Sequence, residues 1–293
     1  MEKYPEIENS YRTEWIEHFL PLYPKLHESR FVIQEKIHGA NIRVEFTPNG
    51  SLNIGSREQE NIEDFEGART VLAQPEYESL IELMCKEANT REKPILLHGE
   101  IFGPKIQKGV NYGDKKRILF FDARIDGQLL SQYDFEHIVP EQFRVKVVGR
   151  MNTLKEALAF PNEFPSNYSP TNDICEGVVI KPYDDVFYNK VGEIFYIKNK
   201  NEKFHEKKCA KKEPKEIPDR INPLLEYINE NRMDSVFSKK GHIIDKKQMK
   251  DYILAIVEDA VKDCLKDNPA LELTSNERVK AGNAAAQLLL RSF

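Results

Sequence analysis

The sequence predicts an α+β protein in which a sheet-forming domain is followed by a small all-helical one. Three observations carry this. Between Phe31 and Lys200 the β-forming residues come in short runs separated by turns rich in glycine and proline. From Ile221 to Phe293 the apolar residues recur at helical spacing instead, and β-runs are few. Between the two lies a lysine- and glutamate-dominated stretch, Lys203 to Lys215, with Pro214 inside it and Pro218 after it. The domains are therefore set at 1–210 and 221–293, joined by a linker at 211–220.

Along the chain, residues 10–30 read as helical or irregular, with Trp15, Phe19 and Leu20 as packing anchors. Phe31 to Phe46 reads as two extended runs folded into a hairpin around Glu35-Lys36-Ile37-His38-Gly39. Burying a lysine among apolar β-residues as an ammonium is costly. Its pKa is expected to fall with desolvation, and further if a second cation lies nearby, leaving a nucleophilic amine. Gly39 allows positive φ and close approach of a ligand. Pro48-Asn49-Gly50 is a turn, and a short strand ends at Arg57, whose forked guanidinium suits phosphate or ribose oxygens. Alternatively, Arg57 makes a surface salt bridge.

Phe65 to Asn89 reads as one amphipathic helix with Tyr77, Leu80, Ile81 and Met84 on its core stripe. The run Pro94 to Gly103 carries Glu100 into a buried strand, where a carboxylate needs a partner such as a sugar hydroxyl or a salt bridge. Lys105 to Lys116 reads as a mobile loop. In the strand Arg117 to Ile125, Phe120 is assigned to the core and Phe121 to a base-stacking face. Residues 128–172 read as a loop, a helix near Leu154 to Phe160 and a proline-rich connection. Glu176-Gly177 and Lys181-Pro182 then bound a strand, and another ends in Lys198-Asn199-Lys200. Residues i and i+2 of a strand share a face, so Lys198 and Lys200 project together and suit an anion between them. A solvated edge is the plainer alternative.

Ordered in this way, the residues resemble the covalent nucleotidyltransferases. The matching motifs are Lys36-Ile37-His38-Gly39, Ser56-Arg57, His98-Gly99-Glu100, Phe120-Phe121-Asp122, Glu176 to Lys181, and Lys198-Asn199-Lys200, covering residues 31–204. The resemblance is strongest to the nick-sealing double-stranded RNA ligases typified by phage T4 RNA ligase 2, and Glu230 to Gly241 resembles their helical C-terminal domain. It implies an antiparallel-sheet adenylyltransferase domain and ATP as cofactor, with AMP carried covalently on Lys36. A magnesium or manganese ion is implied too, with Glu176 holding it, through water, or orienting Lys36. The resemblance gives Lys36, Glu176, Lys198 and Lys200 to catalysis. To nucleotide binding it gives Ile37, Glu35 lining the adenine pocket, Phe121 stacked on adenine, and Glu100 on the ribose. It places Asn41 and Arg57 near sugar and phosphates, Lys198 and Lys200 on the α-phosphate, and Lys181 as a further phosphate or adenylate contact. Its implied partner is nicked duplex RNA or an RNA/DNA hybrid, gripped by residues 220–293 and sealed by a monomer.

A DNA ligase or a capping guanylyltransferase shares most of these motifs but carries an OB-fold where this chain is helically periodic. A non-catalytic RNA-binding relative would lack the nucleophile or a K-x-K lysine, and both are present.

Composition agrees. The 293 residues carry a formal net charge of -5, with 40% hydrophobic and 31% charged residues, as in soluble globular proteins. No run of 18 apolar residues marks a membrane span, and the N-terminus lacks the apolar core of a secretion signal. Four cysteines, Cys85, Cys175, Cys209 and Cys264, form no CxxC pair, so reduced thiols are expected and a zinc site is not. The expected location is the cytoplasm, or that of a host cell if the protein is viral. The acidic balance argues against a whole-surface polyanion binder but leaves room for a local basic groove.

Overall fold

In the computed structural model the chain enters through a two-residue strand, β1 (Glu8–Asn9), and a short helix, α1 (Thr13–Glu17). It reaches its first long strand at β2 (Phe31–Lys36), followed by β3 (Ala40–Phe46), β4 (Leu52–Ser56), α2 (Ala68–Leu72), α3 (Pro75–Arg91) and β5 (Ile95–Phe102). Then come β6 (Arg117–Ile125), β7 (Gln128–Leu129), α4 (Gln132–Ile138), β8 (Val147–Met151), α5 (Leu154–Leu158), β9 (Gly177–Pro182) and β10 (Ile197–Lys200). The second part contains α6 (Glu230–Lys240), α7 (Met249–Asp267) and α8 (Ser275–Leu290). The structure describes residues 1–205, 222–243 and 245–291; the expected linker at 211–220 and Cys209 lie outside the described residues. The chain divides into two compact units, Met1–Asn201 and Glu202–Phe293.

The first unit holds two five-stranded sheets, ordered β1-β10-β9-β2-β8 and β4-β3-β5-β6-β7. All ladders are antiparallel except β1 on β10. This corrects the hairpin reading of Phe31 to Phe46, because β2 and β3 enter different sheets. Each is an interior strand with both edges taken, β2 by β8 and β9, β3 by β4 and β5, so neither edge is left for the other. Ile37, His38 and Gly39 carry the chain across. Gly39 does not have a positive φ. It is needed for space, since a Cβ there would collide with the Ile101 carbonyl and crowd Glu100.

The core of the second sheet is built from its inward-facing residues, Ile42, Val44, Leu97, Ile101, Ile118 and Phe120 among them, packed against Tyr77, Leu80 and Met84 of α3. The expected single helix over Phe65 to Asn89 is two, α2 and α3. The break falls at Gln74, held extended (ψ 145) by the following Pro75, which starts α3. The first sheet packs Phe31, Ile33, Val178, Ile180 and Ile197 against Phe19, with Trp15 and Leu20 partly buried alongside. The segment Lys105 to Lys116 has no helix or strand but is anchored by buried Ile106, Val110 and Tyr112. Both α4 and β8 fall in a stretch read from sequence as loop. β8 is a half-buried edge strand whose sequence, Val-Val-Gly-Arg-Met, does not alternate.

In the second unit, Pro223–Tyr227 forms a 3-10 turn that ends before α6. α8 starts at Thr274 in a capping box: the Thr274 hydroxyl accepts from the Glu277 backbone, and the Glu277 carboxylate accepts from Thr274 N. The apolar faces of α6, α7 and α8 share one core containing Val236, Ile256, Ala260, Ala281, Ala285 and Leu289. Beside it, buried Arg232 forks onto Asp259 (2.9 Å) and Asp263 (2.7 Å).

Candidate active site

β2 pairs with β9 so that Lys36 stands opposite Gly177, and β10 pairs from the other side so that Lys200 also stands opposite Gly177. Directly opposed residues share a face. Lys36, Gln34, Val179, Lys181, Lys198 and Lys200 therefore lie on one face of the first sheet. Gly177 has φ 143, and a Cβ there would collide with the Asn199 carbonyl, so no side chain fills the space between the two lysines.

That space is taken by the preceding residue. The Glu176 carboxylate accepts from Lys36 Nζ at 2.8 Å and pairs with Lys200 Nζ at 3.1 Å, while His38 Nδ1 lies 3.4 Å away. Burial pushes the Glu176 carboxyl upward, but the ammonium groups of Lys36 and Lys200, with the His38 hydrogen bond, outweigh it and hold the group well below the usual carboxylate range. The expected crowding of Lys36 by cations is thus modified, since a carboxylate stands between it and Lys200. Asn201 fixes the start of β9, donating its backbone N–H to Glu176 O and its amide to Cys175 O.

The second sheet supplies the facing wall. Asn41 stands opposite Glu100, and Glu100 opposite Leu119. Gly39 N donates to Glu100 Oε1 at 3.2 Å, and the Tyr112 hydroxyl accepts from His38 N at 2.9 Å. Burial raises the Glu100 carboxyl to about 7, with Lys36 opposing and Glu176 adding to the rise. Asn41 Oδ1 is buried without a partner. Arg57, just past β4, is close enough to lower the Glu100 carboxyl slightly. Lys36, Glu176, Lys200, Asn41, Arg57 and Glu100 are thereby brought together, and Lys198 stands on the same face, opposite Val179.

Four residues of the expected nucleotide set, Lys181, Glu35, Ile37 and Phe121, are packed or bonded within the protein itself. Lys181, expected as a phosphate or adenylate contact, is 1% exposed and spent inside the protein: its Nζ binds Asp122 Oδ2 at 2.7 Å and Phe121 O at 2.9 Å. Burial lowers its pKa and Asp122 offsets part of that. The carboxylate of Glu35, expected in the adenine pocket, instead accepts from Ser166 Oγ and from the backbone and side chain of Asn167, anchoring that loop. Ile37 is buried at the crossing between sheets. Phe120 is in the core, whereas Phe121 falls in a β-bulge, with Gly99 paired to Phe120 and His98 to Asp122. Its partly buried ring packs edge-on against Tyr4 at 5.0 Å, with Lys181 Nζ 5.0 Å from its centroid.

Sequence reading assigned nothing to Tyr4, Gln34, Tyr112, Gln132 or Asn201. Tyr4 is buried and donates to Asp122 at 2.5 Å, 118 residues away in the chain. No local pattern could announce such a contact.

Two antiparallel sheets meeting at a lysine, with a second lysine and a carboxylate beside it, define the adenylyltransferase class of fold. The RNA ligase family model matches residues 29–200, and the T4 RNA ligase 2 C-terminal model matches 210–285. The chain belongs to the RNA ligase family. Among solved structures it is similar to Naegleria gruberi RNA ligase, including a lysine-to-alanine variant with ATP and Mn (TM-score 0.51, 18% identity). Similar too are a glutamate-to-alanine variant with AMP and Mn (TM-score 0.51, 18% identity) and a lysine-to-methionine variant with AMP and Mn (TM-score 0.51, 19% identity). Each similarity covers 70% of this chain and 57% of the Naegleria chain. At such identity the likeness speaks for the fold.

Proposed function

We propose that the chain is an ATP-dependent RNA ligase that closes breaks between a 3′-hydroxyl and a 5′-phosphate in nicked duplex RNA or an RNA/DNA hybrid. In this reading residues 1–210 form the adenylyltransferase domain and 221–293 grip the duplex beside the nick. Family membership supports the class of reaction, and the match of 210–285 to the T4 RNA ligase 2 C-terminal model supports the duplex substrate. The described residues of the second unit are helical, unlike the OB-fold of DNA ligases and capping enzymes.

The observation that carries the reading is the convergence of Lys36, Glu176 and Lys200 against Asn41 and Glu100. Lys36 Nζ gives up its proton and attacks the α-phosphorus of ATP. A P–N bond forms, the bond to the bridging oxygen breaks, and pyrophosphate leaves with the electron pair. The 5′-phosphate of RNA then displaces the lysine and takes the AMP. Finally the 3′-hydroxyl attacks that phosphate, losing its proton, and AMP departs. Phosphoryl transfer of this kind relies on positioning and charge neutralisation, which Lys198 and Lys200 supply. Asn41 Oδ1 and the Glu100 carboxylate are acceptors suited to ribose hydroxyls.

No cluster of three or more His, Cys, Asp or Glu among the described residues makes a preformed metal site. One buried carboxylate between two ammonium groups fits an ion that arrives with the phosphates and keeps much of its water, as magnesium does. Glu176 would hold it through water, and the ion would offset phosphate charge.

The test is incubation with α-labelled ATP and magnesium. Label should remain on the denatured wild type and be absent from Lys36→Ala. Label on Lys36→Ala, or none on the wild type, overturns the reading.

A further inference from the structure

The segment Lys105 to Lys116 closes on itself as an Ω-loop. Its ends lie together: Gly103, at φ 132, has no room for a Cβ against the Lys115 carbonyl. With no helix or strand of its own, the loop is held by side chains. Ile106, Val110 and Tyr112 are buried, and Asn111 N donates to Asp173 Oδ2 at 2.6 Å.

Arg117, which follows the loop, braces it. Its guanidinium lies over the Phe102 ring at 5.0 Å and the Tyr168 ring at 5.8 Å. It donates to Tyr112 O at 3.4 Å and to Tyr168 O at 3.1 Å. The Tyr112 ring meets Phe102 edge-on at 4.9 Å. One half-buried cation thus ties the loop to the end of β5 and to the connection ahead of β9, through bonds that its charge strengthens.

The loop delivers an acceptor to the crossing between the sheets. His38 lies on that crossing, outside both β2 and β3, and the Tyr112 hydroxyl accepts from its N–H at 2.9 Å. Burial, with the negative charges of Glu176, Glu35 and Glu100, keeps this hydroxyl protonated and neutral. The peptide unit so held joins Ile37 to His38, directly beyond Lys36. His38 Nδ1 in turn lies 3.4 Å from Glu176 Oε2, the oxygen that also accepts from Lys36 Nζ at 2.8 Å. A shift of this one peptide therefore disturbs two of the groups around that oxygen.

We infer that Tyr112 and Arg117 are positioning residues: Arg117 holds the loop, Tyr112 holds the His38 amide, and together they keep Lys36 and His38 in place against Glu176. The inference rests on the ligase reading and adds to it two residues that act through others. Displacing a reacting group by about 1 Å can cost about a hundredfold in rate, so the brace should show in the chemical step.

The test is self-adenylylation of the full chain with α-labelled ATP and magnesium, read as kcat and KM separately, with Tm beside them. Tyr112→Phe removes the acceptor and keeps the ring on Phe102. Tyr77→Phe is the comparison: it too removes a buried hydroxyl that accepts from a backbone N–H, here Ile118 N at 2.8 Å, but in the core under α3. Tyr112→Phe should lower kcat about tenfold or more at unchanged KM for ATP, with a fall in Tm no larger than that of Tyr77→Phe. Tyr77→Phe should keep the wild-type kcat. Arg117→Met, which keeps an apolar stem over Phe102, should lower kcat likewise, and the two changes together should cost no more than the larger alone. A wild-type kcat in Tyr112→Phe or in Arg117→Met overturns the inference. So does an equal loss of kcat in Tyr77→Phe, or a loss carried by KM. A wild type that takes no label sinks the ligase reading itself, whereas a labelled wild type whose kcat ignores both changes sinks only the brace.

Discussion

Lys36 Nζ lies 2.8 Å from Glu176 Oε2, and the other oxygen of the same carboxylate is held by Lys200 at 3.1 Å. The amine proposed to react is thus held in place by an ion pair. Removing the carboxylate in Glu176→Ala leaves two ammonium groups facing each other. Loss of one partner of a buried pair costs roughly 3–5 kcal/mol; because Lys36 is 21% exposed, the lower end is expected. The check is chemical denaturation, alongside loss of label transfer.

Glu176 also sets an acid limit. A folded-state pKa below the ordinary value contributes stability above that value, and loses it as pH falls through the depressed one. Stability of the wild type should therefore decline below about pH 4, and Glu176→Gln should lose this part of the decline. Denaturation midpoints from pH 3 to 6 decide it.

Glu100 behaves in the opposite sense. Its carboxyl is raised from 4.5 to about 7, so the folded state binds the extra proton. Its contribution is fully present below 4.5 and is lost as pH rises toward 7. Ionised Glu100 is the better acceptor for a ribose hydroxyl, so KM for ATP in self-adenylylation should fall as pH rises through 7. Glu100→Gln should flatten that profile, and an unflattened one would detach Glu100 from the ribose.

Gly177→Ala should be among the most damaging single changes. The residue combines φ 143 with no room for a Cβ against Asn199. Relief requires β9 and β10 to part, which draws Lys200 from Glu176. A loss of about 3 kcal/mol or more is expected, read as a fall in Tm together with weaker self-adenylylation.

Lys181→Met should destabilise by roughly 3 kcal/mol by leaving Asp122 buried and unpaired, and Lys181→Met combined with Asp122→Leu should recover much of it. A direct phosphate contact by Lys181 would instead leave stability unchanged and impair only ATP use. Thermal melts of the two proteins separate these outcomes.

The parts of the site that lie in short runs were legible in the sequence. Lys36, Gly39, Glu100, Glu176, Lys198 and Lys200 each sit at a strand end or turn that local patterning marks, and their order along the chain suggested the family. The helical second unit was legible from periodicity. Partition of strands between sheets was not, because alternation tells which way a residue faces and not which strand it will meet. The same blindness hid the network around Asp122, where Tyr4, Gln132, Lys181 and Tyr196 converge from four distant segments. The fate of Lys181 shows the cost: its motif was recognised, but its ion pair lies 59 residues away in the chain.

Three residues, Ile37 to Gly39, bridge the gap between the sheets. So short a tether, pinned by Tyr112 and Glu100, leaves the attacking nitrogen no travel beyond the sweep of its own four-carbon stem. In the proposed reaction the substrates must therefore come and go around a stationary workbench.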